Sequence, residues 1–542
     1  MRLPFEPASF PDVLNTLLQY DLTPAIIFLP SRRGCDEAVD SFRRTRLPDL
    51  SSEQQRRIAN IVAEYPDEAT YVEQHRQFFL LLRKGIAAHH AGQLPAWKHV
   101  VERAMAAGAL RAVFATSTLA AGIDMPARSV VITASSLRSD DGHRDIKAFE
   151  LAQMTGRAGR RGRDRVGFAI FVPGPFQDMH VIAEKLLSPP EPVESAFDAN
   201  YTMALNLLQK MSPQAARSLI ERSFRHFQNR KLADRLRPRL QEVKALLDAD
   251  AELCPAGDRA QTFAAYRPIA RELAAARKQL RRWQNAKRQL DLDDPDTRAD
   301  YEAAVNTVRR LEAAAADFPC STCSQVSNCA PRAAEMLEAQ RRYEHLAARC
   351  SEIENGLWER FKKCVAVLQH YGYLDQHWQP TADGRWAAQL RVDNAVFVGE
   401  LIRAGILDVE SPRHLAALCG AIAAEDREFP LYEETRAEYL RPLRQVRGIA
   451  YAIADVQARY DNYCTMTIDY DAGRLLWTWA DGQCTWEALL AMTEAVEGDV
   501  ARLLLRTSDL LGQLAGLSAS HPKLAEQARA AIYAIRRPPV ED

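Results

Sequence analysis

The chain has 542 residues, 47% of them apolar and 26% charged, with a formal net charge of −1. That length and composition fit several folded domains with true cores, and a balance so near neutral neither demands nor excludes a nucleic-acid partner, whose basic footprint has to be local. The start, MRLPFEPASF, lacks a basic stretch running into an apolar one, and no segment approaches the ~20 apolar residues of a membrane helix, so a cytoplasmic multi-domain protein without membrane association is expected.

The first apolar run is PAIIFLP, residues 24–30, bounded by prolines like a buried parallel strand. GIAAHHAG, LRAVFATS, ARSVVITAS and VGFAIFVPG repeat the pattern, with helical segments between them. Strands alternating with helices predict a doubly wound parallel sheet over residues 1–185. Ligands of such sheets sit at the carboxyl ends of the strands. Four segments are expected on that edge: Ser31–Arg33, His89–Gly92, Ala115–Ala127 and Gln153–Gly162. Within the last, Arg157 and Arg160 lie three apart, so one turn can aim both at a single phosphate. A basic loop on a nucleic-acid backbone is the other reading of the same residues.

The order of these segments resembles the second RecA-like domain of superfamily-two helicases. FATSTLAAGIDMPARSVV followed by QMTGRAGRRG is similar to the superkiller-type DExH-box RNA helicases, which work with the exosome or its bacterial counterparts. The resemblance implies half of an ATP and Mg²⁺ site, with Arg157 and Arg160 as arginine fingers and Gln153 near the γ-phosphate. It places Gly122 and Asp124 beside the nucleotide, with capping of the turn before Pro126 as the lesser alternative for Asp124. It puts Gly92, Thr116 and Arg32 on the backbone of a single-stranded RNA, with DNA possible, and implies an RNA-degrading partner.

No G-x-x-x-x-G-K-[ST] occurs in the sequence, so no phosphate-cradling loop is present. DEAV at Asp36–Val39 has no such loop before it and reads as a solvated helix turn. The phosphates are therefore expected to be gripped by a first RecA-like domain, on a separate polypeptide or in a deleted amino-terminal half.

SPPEPVESAFDANYTMALNLL and RSFRHFQ resemble the segments that come after motif six in that family. The later LWERFKKCVAVLQHYGYLD ends as a helix at Gly372, and WQPTADGRWAAQL reads as a hairpin turning at ADG. Together they predict a winged helix, residues 186–253 and 351–392, split by an insertion at 254–350. In the insertion Ile269, Leu273, Ala276, Leu280, Trp283 and Leu290 alternate at spacings of four and three, answered by Tyr301, Val305, Val308, Ala315 and Phe318. That is an antiparallel coiled-coil stalk, with Pro268 expected at its first helical position.

CSTCSQVSNC then offers Cys320, Cys323 and Cys329, a spacing suited to tetrahedral zinc. An iron–sulfur cluster or plain buried thiols are the alternatives. Cys254, just before the outgoing arm, is the expected fourth ligand. His345 and Cys350 lie 16 and 21 residues past Cys329, roughly 24 and 32 Å along one helix and out of reach.

Residues 393–542 read as a helical bundle, and its longest amphipathic run is Trp486–Leu514. By the same resemblance this run lines the strand channel, with Glu497, Asp499 and Arg502 matching the pattern and Arg502 on the nucleic acid. The fold expected is thus multi-domain: an α/β RecA-like parallel sheet, then winged helix, coiled-coil stalk insertion and α-helical bundle. The function expected is the strand-translocating portion of an ATP-dependent RNA helicase; a DNA helicase of the same superfamily, or an adaptor that binds nucleic acid without hydrolysing ATP, are the competing readings.

Overall fold

The computed structural model describes residues 8–65, 69–120, 125–139, 142–174, 176–254, 259–286, 295–409, 411–425, 427–432 and 440–540. It falls into two compact units, one formed by residues 1–193, 200–210 and 363–542, the other by 194–199 and 211–362.

In the first unit the apolar runs form a five-stranded sheet. Its first four strands are β1 (Ala25–Phe28), β2 (Ile86–His89), β3 (Ala112–Ala115) and β4 (Ser129–Ile132). Strands β5 (Ser136–Ser139) and β6 (Gly142–Asp145) pair apart from them as an antiparallel hairpin, and β7 (Phe168–Phe171) completes the sheet. The order is β2-β3-β1-β4-β7, and every pairing in it is parallel. β1 to β4 are buried along their whole length, which is why they read as continuous apolar runs rather than as alternations. Leu14, Leu17, Cys35, Val39 and Phe42 pack with Ile27 and Phe114 in one apolar core. In the hairpin Leu137 is the sole apolar side chain larger than glycine, so no apolar alternation announced it.

Four helices centre on Pro412–Ala423, which packs against Tyr470–Trp479, Glu497–Ala515 and Pro522–Ile535 in the same unit. Trp479 is fully buried and its indole N–H donates to the Ile535 carbonyl at 2.8 Å. The expected single run over 486–514 is two helices, Trp486–Leu490 and Glu497–Ala515. The break arises where Leu431 bridges to Thr493 and the Glu494 N–H turns out to the Pro430 carbonyl. The ADG segment also differs from expectation. Residues Ala382–Ala387 are helical, with the Thr381 hydroxyl capping the Gly384 N–H at 3.1 Å. A capping threonine two residues before Asp383 converts the turn-forming tripeptide into a helix start, and a bridge between Leu374 and Pro380 closes a turn ahead of it instead.

The second unit is helical. Arg259–Ala286 and Pro295–Ala316 pack side by side. Leu273, Val308, Leu311 and Ala315 form their seam with Ile269, Ala276 and Leu280 against it. Arg277 pairs with Glu312 at 2.8 Å across the two arms, and Tyr266 meets Phe318 at 6.0 Å between ring centroids. Low residue numbers on one arm meet high ones on the other, so the arms run antiparallel. Leu290 lies outside the described residues. Pro268 is inside its helix, which starts earlier at Arg259, rather than at its first turn. Among the described residues no helix is long and apolar enough to cross a membrane.

Candidate nucleotide and nucleic-acid interface

All five strands run the same way, so the loops leaving them share one edge of the sheet and the loops entering them share the other. The helix Arg32–Asp40 begins directly beyond β1, where the Ser31 hydroxyl accepts from the Gly34 N–H at 3.0 Å. Arg32, in its first turn, pairs with Asp499 at 3.0 Å, and Arg427 holds the same carboxylate. Arg33 instead makes an exposed pair with Glu37 one turn on.

Beyond β2, His90 is buried. Its Nδ1 accepts from the Gly92 N–H at 3.1 Å and its Nε2 lies 3.2 Å from Asp36. Gly92 itself is buried against the first turn of Glu497–Ala515, and the Gly498 N–H donates to its carbonyl at 3.2 Å. A Cβ on Gly498 would lie 2.6 Å from backbone atoms of Ala91, Gly92 and Gln93, so only glycine allows this approach. Thr116 follows β3, half-buried, with its hydroxyl 2.9 Å from that of Thr118. Arg32, Gly92 and Thr116 are thus brought to one edge as expected from the strand pattern.

Asp36 is not a solvated helix turn. Its side chain is 16% exposed, Arg76 pairs with it at 2.5 Å and the Gln77 amide donates to it at 2.7 Å. Burial alone would raise its pKa, but His90 and Arg76 outweigh that and hold it below the usual carboxylate range. His90, just beyond β2, was the available signal for this buried acid. Next to it, His75 stacks on Trp97 with centroids 3.7 Å apart and lies 3.5 Å from Glu497.

The arginine segment is on the opposite edge. It follows the helix Ala148–Thr155, which runs back along the sheet, so it enters β7 instead of leaving a strand. The Ala127 N–H donates to the Arg157 carbonyl at 3.0 Å and the Gly159 N–H donates to the Ala127 carbonyl at 2.7 Å, forming a parallel bridge two residues before β4. Gly159, at φ +91°, lies against Gly167 just ahead of β7. The expectation of four loops on the carboxyl edge is therefore corrected. Ser31–Arg33, His89–Gly92 and the start of Ala115–Ala127 lie there, whereas Ala127 and Gln153–Gly162 lie at the amino ends of β4 and β7.

On that edge Gln153 is exposed. The Arg157 Nε donates to the Ala120 carbonyl at 3.1 Å. Arg160 grips Asp164 with Nε at 2.8 Å and NH2 at 2.9 Å, and its own N–H reaches the same carboxylate at 2.9 Å. The Arg160 side chain, chiefly, and this backbone donor push the Asp164 pKa down to about 2. Gly122 and Asp124 lie outside the described residues.

Arg502 is exposed on Glu497–Ala515. Arg506, Asp509 and Gln513 follow it at helical spacing, and these three help line a cavity of about 380 Å³ with Arg391, Asn394 and Thr465. In the second unit Cys254, Cys320, Cys323 and Cys329 line one cavity of about 170 Å³. Burial, together with the neighbouring Cys329, Cys254 and Cys323, pushes the Cys320 thiol up. His345 and Cys350 are carried away from it along the unbroken helix Val326–His370.

The five-stranded parallel sheet thus carries an arginine turn at one edge and meets the helical bundle at the other. Residues 377–542 match the DSHCT (NUC185) domain family. The chain is 39% identical over 228 residues to the probable helicase HelY of Mycobacterium tuberculosis, covering 41% of this chain and 25% of that protein. It is 33% identical over 249 residues to the DExH-box ATP-dependent RNA helicase DExH10 of Arabidopsis thaliana, with 44% and 25% covered. To the exosome RNA helicase MTR4 of Homo sapiens it is 31% identical over 229 residues, with 41% and 22% covered. The alignments thus span about a quarter of the length of these relatives, and the resemblance to the carboxyl-terminal portion of superkiller-type DExH-box helicases holds over about two fifths of the chain.

Proposed function

We propose that this chain is the strand-handling portion of an ATP-dependent RNA helicase, active together with a first RecA-like domain supplied in cis or in trans. The observation that supports the reading is the separation of two groups of residues onto opposite edges of the sheet. Thr116 and Arg32, with Arg502 on the bundle helix, belong to the edge assigned to the RNA backbone. Arg157 and Arg160, with Gln153, belong to the edge assigned to ATP.

The arginine edge fits a triphosphate. Arg160 already holds an oxyanion through a two-pronged grip on Asp164, and a phosphate offers the same pair of oxygens. Bound ATP supplies the free energy of phosphoryl transfer and Mg²⁺ the charge neutralisation, while the first RecA-like domain contributes the lysine loop and the metal-binding carboxylate. The chain's own residues orient and exclude. Arg157 is positioned by the Ala120 carbonyl and Arg160 by Asp164, contacts that an incoming phosphate would have to replace.

The stripe Arg502, Arg506, Asp509 and Gln513 gives the bundle helix a polar face for a backbone without base readout. RNA rather than DNA follows the naming of the plant and human relatives as RNA helicases. The reading is tested by adding a first RecA-like domain from a relative to the purified chain and measuring RNA-stimulated ATP hydrolysis. Turnover near 1 s⁻¹, within the ordinary enzyme range, is expected from the mixture and none above background from the chain alone.

A second reading is a nucleic-acid-binding adaptor without ATPase function. The saturation of Arg160 by Asp164 favours it, because a finger so engaged must change partner to meet a phosphate. Failure of every added first RecA-like domain to elicit hydrolysis, with RNA binding intact, would select it.

A further inference from the structure

We infer that Cys254, Cys320, Cys323 and Cys329 form a structural zinc site that ties together the base of the coiled-coil stalk. This inference does not rest on the helicase reading. The four thiols come from three places that the chain separates and the fold reunites. Cys254 follows the end of Phe224–Leu253. Cys320 and Cys323 sit on a knuckle begun by the short turn Pro319–Ser321, in which the Cys323 N–H approaches the Cys320 carbonyl at 3.4 Å. Cys329 lies in the first turns of Val326–His370. All four line the same cavity of about 170 Å³, and Cys320 and Cys329 are only 8% and 6% exposed. Four buried or half-buried thiols on helix ends and a C-x₂-C knuckle match the donor set and spacing of closed tetrahedral zinc sites.

A cationic partner is in place at one of the four sulfurs. Arg259 donates to the Cys329 sulfur at 3.1 Å. Its guanidinium is held in place by Asp250, itself 5% exposed, at 2.9 Å, and Arg332 braces that carboxylate at 2.8 Å. The amino terminus of Val326–His370 adds about half a positive charge. Four thiolates and one Zn²⁺ leave two negative charges, which this arginine and the helix end offset in part. Among the described residues no three His, Cys, Asp or Glu side chains converge into a preformed ion-binding group. The thiols surround the cavity and the ion would draw them in, as is usual where metal binding and local folding are coupled.

The test is metal analysis of the purified full chain and of four variants. About one zinc per chain is expected in the parent and in Cys350→Ser, whose thiol lies far along the same helix. Cys254→Ser and Cys323→Ser should lose most of it, and Arg259→Ala, which keeps every thiol, should bind zinc about 10–100-fold more weakly. Should a cysteine variant fail to fold, cobalt(II) titration of the metal-stripped parent keeps the matter decidable, since a tetrahedral tetrathiolate site gives intense thiolate-to-cobalt charge transfer. Three results overturn the inference: a parent without zinc that gives no such cobalt spectrum, a brown protein carrying iron and inorganic sulfide, or zinc that leaves Cys350→Ser and stays in Cys254→Ser.

Discussion

Arg32 and Asp499, 467 positions apart in sequence, are joined at 3.0 Å where the helix after β1 meets the first turn of Glu497–Ala515. The same carboxylate takes Arg427, so one acid bridges two arginines from different segments and leaves one positive charge uncompensated. The pair is partly exposed, and a double-mutant cycle of Arg32→Ala and Asp499→Ala should give a coupling of only about 0.5–1 kcal/mol. Asp499→Ala alone should tighten binding to single-stranded RNA at low salt, because it releases two cations at the proposed strand edge. Weaker binding by that variant, measured by fluorescence anisotropy, would reject the placement of this cluster beside the strand.

Gly498→Ala sets two effects against each other. Alanine in a helix is worth up to about 1 kcal/mol over glycine. Its Cβ, however, would meet three backbone atoms at 2.6 Å, and backbone cannot rotate aside as a side chain can. Overpacking of this kind costs about 1–3 kcal/mol, so a lower Tm is expected by calorimetry. A raised Tm would mean that the bundle helix and the Gly92 turn are not in direct contact.

Arg160→Ala, assayed with a first RecA-like domain present, should lower ATP turnover about 10³-fold or more, as expected for an arginine finger. RNA affinity should stay within about twofold, because Arg160 sits on the edge away from the proposed strand. Loss of RNA binding in equal measure would instead place this loop on the nucleic acid.

The Arg160–Asp164 pair also sets a pH dependence. Asp164 is depressed to about 2 from an ordinary unfolded value of ~3.9. A group depressed in the folded state stabilises the protein above its unfolded pKa, and that contribution disappears as pH falls through its folded pKa. The Tm advantage of the parent over Asp164→Asn should therefore be full at pH 5 and shrink between about 4 and 2. A gap independent of pH would show that the carboxylate is not ionically held.

Binding to single-stranded RNA should be sequence-indifferent and salt-dependent, losing roughly 0.7 log units of affinity per log unit of salt for each phosphate neutralised. Arg502→Ala should remove about one such increment from the slope. An unchanged slope would take that residue off the strand.

Much of the sheet was legible because buried parallel strands are written as short apolar runs, and PAIIFLP, LRAVFATS and ARSVVITAS each delivered one. The stalk was legible for the same reason at a different period. Its seam contains Leu311, which the fours-and-threes reading passed over. The features that stayed hidden depend on partners far along the chain. Asp36 looks like any helix acid until His90 and Arg76 arrive beside it. The edge occupied by Arg157 and Arg160 depends on whether a loop enters or leaves a strand, and the motif letters alone do not say. ADG carries turn chemistry, but Thr381 ahead of it carries stronger capping chemistry.

Each strand of the parallel sheet is four residues long, roughly 13 Å from edge to edge. Over so short a span one side chain can touch the business of both sides. Arg157 does so, for the carbonyl it holds belongs to Ala120, the last residue of the turn Ser117–Ala120 that starts immediately after Thr116. A group that draws Arg157 away would have to replace both its Nε and its NH2 bonds to that carbonyl. Arg157 and Thr116 are thereby linked through one four-residue turn.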